Sequence, residues 1–139
     1  MKRILALIIC ATLIGVVNAQ VKTPAPSPSQ VVKQALGLSK IEVNYSRPGV
    51  KDREIFGKLV PFDKMWRTGA NGVTTIKVKS KVMFEGKELK KGTYAFLTIP
   101  GKDKWTIVVN SNTKNNAWAY DDATEVFRID VKPVTSTEK

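Results

Sequence analysis

Along most of this chain apolar and polar residues alternate at every second position, the period of a strand that buries one face. Ile41, Val43 and Tyr45 interleave with Lys40, Glu42 and Asn44. Thr74, Ile76 and Val78 interleave with Thr75, Lys77 and Lys79. Val82 and Phe84 alternate with Lys81, Met83 and Glu85, and Gly86 then turns the chain into the short Lys87-Glu88-Leu89. Thr93 to Ile99 is rich in β-branched and aromatic residues, and Trp105 to Val109 is a further strand. In the last segment Val126, Arg128 and Asp130 alternate with Phe127, Ile129 and Val131. Turn chemistry separates these runs at Gly37, Lys91-Gly92, Pro100 to Asp103 and Asn110 to Asn116. Ser29 to Leu36 fits helical spacing at Val31/Ala35 and Val32/Leu36. Its paired valines also suit a strand, and the clean alternation that follows favours the strand. Ala117 to Tyr120 is compatible with another short strand.

About seven or eight short strands, with no helical pattern and no internal repeat, predict an all-β fold: a single antiparallel β-sandwich, with a jelly roll or barrel as the alternative. The alternation turns Ile41, Val43, Ile76, Val78, Tyr94, Phe96, Trp105, Ile107 and Ile129 inward.

The stretch from Tyr45 to Asn71 obeys neither period. It holds Arg47, Arg53 and Arg67, Trp66, two prolines and three glycines between ordinary strands. A compact domain rarely carries so long an irregular connection without a use for it, which marks this segment as the working part.

The beginning of the chain has another purpose. Lys2 and Arg3 form a positive region, Ile4 to Val17 an apolar run, and Val17-Asn18-Ala19 the small-residue pattern of a cleavage site before Gln20. Residues 1–19 read as a secretory signal peptide, which predicts export to the periplasm or beyond. The run is short for a membrane span, and an uncleaved anchor is the alternative. Cys10, behind Ile9, is a poor site for lipid attachment. Residues 20–28 read as a Pro-rich extended leader, 29–133 as one domain, and 134–139 as a flexible tail.

Composition narrows the chemistry. The single cysteine leaves with the signal peptide, so packing and strand pairing must supply stability. There is no histidine, which excludes Ser-His-Asp and Cys-His nucleophilic systems. Formal net charge is +11, and it falls to +9 without Lys2 and Arg3. Such an excess often marks a nucleic-acid binder. Export argues against that partner, and Lys77, Lys79, Lys81 and Lys87 read as dispersed over exposed strand faces. A soluble cationic surface is the plainer reading, with anionic envelope polymers as the alternative.

Arg47, Arg53 and Arg67 are the sharpest candidates, because a guanidinium presents a planar fork of donors to carboxylate, phosphate or sulfate. The competing role is to pair with Glu54, Asp63 or carbonyl groups and hold the long connection down. Trp66 and Trp118 could stack on a sugar, or belong to the core; Trp105 is more simply core. Asn71 could meet a ligand, although Gly69 and Asn71 also suit a tight turn. Asp121, Asp122 and Glu125 match no calcium loop and read as a solvated turn. Asp52, Glu54 and Asp63 supply the residue type of a general acid and base, with no pair marked by spacing.

Several motifs, Tyr45-Ser-Arg-Pro48, Arg53-Glu-Ile-Phe-Gly57, Leu59-Val-Pro61, Trp66-Arg-Thr-Gly-Ala-Asn71, Lys91-Gly-Thr-Tyr94 and Thr98-Ile-Pro-Gly101, give the chain a specific resemblance. It resembles an uncharacterised family of exported bacterial proteins, a domain of unknown function, from about Pro24 to Pro133. The resemblance implies an exported β-rich domain and brings no catalytic or binding residues with it. Gly72 departs from the family pattern, which has a larger and often acidic residue there.

The sequence thus predicts a module that binds a small or polymeric ligand, anionic or sugar-like, through residues 45–71. The ligand-binding residues are Arg47, Arg53, Trp66, Arg67, Asn71 and Trp118, with no catalytic residue, metal or cofactor. Nucleic acid is not an expected partner, and oligomeric state is left open. An envelope hydrolase using paired carboxylates and a purely structural module are the rival classes.

Overall fold

The computed structural model describes residues 23–114 and 120–134. The proposed signal peptide, Trp118 and most of the Ala117–Tyr120 strand therefore lie outside the described residues. No helix among the described residues is long and apolar enough to cross a membrane.

The all-β expectation holds, and every pair of neighbouring strands among the described residues is antiparallel. In chain order the strands are β1 (Ser29–Leu36), β2 (Ser39–Ser46), β3 (Thr74–Val78), β4 (Val82–Phe84), β5 (Lys87–Leu89), β6 (Gly92–Ile99), β7 (Trp105–Asn110) and β8 (Glu125–Val131). Six of them form one sheet in the order β1-β2-β3-β6-β7-β8, and β4 and β5 form a separate hairpin. That hairpin turns through Glu85 and Gly86, both at positive φ (46° and 75°), the backbone of a tight two-residue turn whose twist matches the strands it joins. Glycine reaches this conformation without steric cost.

Register decides the two faces of the sheet. Val43 pairs with Ile76, Ile76 with Tyr94, Phe96 with Val109, and Val109 with Phe127. These residues share one face, called here the hairpin face, because Val82 and Leu89 of β4–β5 pack onto Ile76, Val78 and Val109 there. The expected inward residues Ile41, Val43, Tyr94, Phe96 and Ile107 pack against the same cluster.

The opposite face is buried as well at the centre of the sheet. Ala95, Leu97 and Val108 are fully buried there, beneath Met65, Val73, Ile99 and Tyr120. β6 and β7 are thus covered on both sides, whereas β1 is exposed along its whole length as an edge strand. A one-residue bulge sits where β7 meets β8: Val109 faces Phe127 but Asn110 faces Glu125. The extra residue, Val126, is left exposed, and Glu125 is aimed onto the face that carries Arg128.

Candidate functional site

Residues 47–73 form no strand, and they are held down mainly by backbone bonds and aromatic contacts. Trp66 exchanges both backbone hydrogen bonds with Thr98 (2.7 and 3.0 Å), taking the place beside β6 that β3 leaves open. Asp63 N donates to the Pro100 carbonyl at 2.8 Å, and Val60 enters the core at 7% exposure. The Phe56 ring lies edge-on between Trp66 and Trp105, with centroids 5.9 and 4.9 Å away. Thr74 N donates to the Arg67 carbonyl, closing residues 68–73 into a loop. Gly69 lets that loop lie against the end of β2, since a Cβ there would come within 3.1 Å of the Ser46 carbonyl oxygen.

Between this connection and the hairpin face of the sheet is a cavity of about 230 Å³ lined by Val43, Tyr45, Thr68, Thr74, Ile76 and Phe96. Its floor is apolar, and its walls bring hydroxyl groups. Thr68 Oγ1 lies 3.0 Å from Thr98 Oγ1, and Thr74 Oγ1 donates to the Thr68 carbonyl at 2.7 Å. The Tyr45 hydroxyl donates to Gln30 Oε1 (3.2 Å), which also accepts from Arg47 Nη1 (3.3 Å). This shared acceptor puts the exposed Arg47 guanidinium next to the phenol that lines the cavity.

The sequence candidates have different surroundings. Arg47 stands beside the cavity. Arg53 spends its donors on the Gly49 and Val50 carbonyls (2.7 and 2.9 Å), so it clamps its own tight turn. Arg67 is half-buried, and its Nε is buried without a hydrogen-bond partner. Asn71 has φ of 59°, as the turn reading requires, and its Nδ2 donates to Ser27 O and Ser46 Oγ. Trp66 is half-buried against Phe56. Tyr45, Thr68, Thr74 and Phe96 were not foreseen as lining one site. Only Tyr45 carried a signal, as the last inward residue of an alternating strand that runs straight into Arg47.

The carboxylates have separate roles. Glu54 pairs with Lys58 at 3.1 Å, Asp52 occupies a left-handed turn position, and Asp63 anchors its backbone to Pro100. Among the described residues no group of three or more His, Cys, Asp or Glu side chains could hold a metal ion.

An orphaned buried Nε costs desolvation energy without return. Arg67→Met keeps most of the length of the side chain and removes the orphan. Its thermal midpoint is expected to equal or exceed that of wild type. A loss above about 2 kcal/mol by urea unfolding would show that the guanidinium holds a partner.

A second polar cluster lies on the opposite face. The Tyr120 hydroxyl donates to Glu125 Oε2, Arg128 Nε donates to both Glu125 oxygens at 2.8 Å, and the Arg128 guanidinium lies 5.9 Å from the Tyr120 ring centroid. Burial, and then the bond to Glu125, push the Tyr120 pKa above its ordinary value of 10.0. The neutral phenol is the form that the fold favours. Its contribution to stability is therefore complete below the ordinary tyrosine pKa and is lost as pH rises through the higher folded value. The phenolate absorbance difference between wild type and Tyr120→Phe is expected to develop above pH 10.0. Ionisation at or below that pH would contradict the contact.

These features define a small antiparallel β protein with a pocket between its sheet and one long irregular connection. The chain belongs to a family of proteins of unknown function, DUF2911, whose model matches residues 27–139. No curated protein and no solved structure matches it.

Proposed function

We propose that this protein is an exported, non-catalytic binding module for a small ligand that has an apolar face, hydroxyl groups and one anionic group. An acidic sugar is the chemistry that fits best. The observation that carries this reading is the cavity itself, since Thr68 of the long connection closes it against Val43, Tyr45, Thr74, Ile76 and Phe96 of the sheet. Phe96, Ile76 and Val43 offer an apolar surface to a sugar ring. The hydroxyl oxygens of Tyr45, Thr68 and Thr74 retain capacity to accept hydrogen bonds. Arg47, beside Tyr45, is placed to meet the carboxylate. Export rests on the sequence pattern of residues 1–19.

Galacturonate and glucuronate titrated by calorimetry test this. Val43→Phe fills the cavity floor with a larger side chain, and Arg47→Gln removes the charge but keeps a polar group. Each is expected to weaken binding about tenfold or more, the scale of a lost charge-assisted hydrogen bond. Binding that both variants retain in full would reject the pocket.

A further inference from the structure

Four lysines gather on the face of the sheet opposite the hairpin. Lys33 pairs in register with Glu42, and Glu42 with Lys77, so the three stand in one row across β1, β2 and β3. Lys40 pairs with Ala35 two positions along, and alternation from Lys77 adds Lys79. Lys79 N donates to the Lys40 carbonyl, which brings these two residues side by side. All four lysines are exposed. Among the described residues Glu42 alone answers them, through a 3.6 Å contact with Lys33. Lys58, Lys81 and Lys104, by contrast, each pair with a carboxylate of their own.

We propose that this face binds a linear acidic polysaccharide, at a site separate from the pocket and independent of it. Strand spacing puts Lys33 and Lys77 about 10 Å apart and Lys77 and Lys79 about 7 Å apart, an array suited to charges repeated along a polymer. Lysine ammonium groups are mobile point charges, not forks shaped for one fixed group. Glu42 in the middle of the array selects among polyanions. It repels every polyanion, but its oxygens accept hydrogen bonds from sugar hydroxyls, which offset that repulsion for an acidic polysaccharide and not for a chain that carries only phosphates. Asn44 and Thr75, paired on the same face, extend that polar strip. β1, β2 and β3 present no aromatic residue on this side, so the stacking platform on which single-stranded nucleic acid depends is missing.

The test uses the protein with polygalacturonate as the probe, and with polyphosphate and oligo(dT) as competitors. Lys33→Gln/Lys77→Gln is compared with Lys87→Gln/Lys102→Gln, which removes the same charge elsewhere. The first pair is expected to weaken polygalacturonate binding about tenfold and to flatten its salt dependence, while the second changes it by less than about threefold. Glu42→Gln is expected to strengthen polyphosphate binding more than polygalacturonate binding, because the repulsion it removes is already offset by hydrogen bonds to sugar hydroxyls only for the sugar chain. Equal losses in the two double variants would overturn the proposal. So would tighter binding of polyphosphate or oligo(dT) than of polygalacturonate by the unaltered protein. Neither outcome bears on the pocket, because Val43 and Arg47 are unchanged in all these variants.

Discussion

Leu97→Ala is expected to remove about 2–5 kcal/mol of stability, the range for a large-to-small change in a close-packed core. Leu97 is fully buried on β6, the strand flanked by β3 and β7 in the six-stranded sheet. Its side chain is packed with Ala95 and Val108 beneath the Met65 and Val73 side chains. Strands on both sides fix the β6 backbone, so the surroundings collapse little into the space left behind. Urea unfolding should show a lower midpoint with an unchanged slope. A loss under about 1 kcal/mol would mean that the second face of β6 is not the core described here.

Asn110→Ala is expected to cost about as much, for a different reason. Asn110 is fully buried at the end of β7, at the bulge. Its Nδ2 donates to the Asp121 carbonyl at 2.9 Å, and its Oδ1 accepts from Asn112 N and Thr124 Oγ1, both at 2.8 Å. One side chain thus ties β7 to the turn before β8. Alanine strands several polar groups together, at about 1–3 kcal/mol for each that water does not reach. Asn110→Asp buries a carboxylate with one oxygen against the Asp121 carbonyl, so it is expected to cost at least as much as alanine. A neutral alanine variant would show that the turn does not depend on this side chain.

Much of the fold was legible because one physical rule, period-2 burial, governs most of it. Ile41, Val43, Ile76, Val78 and Phe96 share a face as their alternation required. The same rule missed Leu97 and Val108, because a strand covered on both sides has no polar face to reveal it. The Ser29–Leu36 strand was readable only through its neighbour, since every residue in it is exposed. The irregular segment was legible as an anomaly and not as a geometry. Its contact with β6 through Trp66 and Thr98 spans distant positions and leaves no periodic trace. The pocket likewise joins residues 43–45, 68, 74–76 and 96, which only the register brings together. Register also gathers Lys77 and Lys79 with Lys33 and Lys40, where the sequence alone suggested lysines scattered over the surface.

The arginines divide on the same grounds. Residue type marked Arg47, Arg53 and Arg67 equally, but their neighbours do not. Arg53 satisfies the carbonyl groups of a turn, Arg67 buries an unmatched Nε, and Arg47 shares an acceptor with a pocket-lining tyrosine. Only the last combines exposed charge with the cavity. For this reason the proposed function places the anionic group of the ligand at Arg47.

The most direct test of that function is a chemical-shift map of the isotopically labelled protein titrated with galacturonate. Saturable shifts are predicted at Val43, Tyr45, Arg47, Thr68, Thr74, Ile76 and Phe96, the residues in and beside the cavity. Titration to saturating concentration with no shift at these residues, or with shifts confined to the Lys33, Lys40 and Lys77 face, would contradict the account.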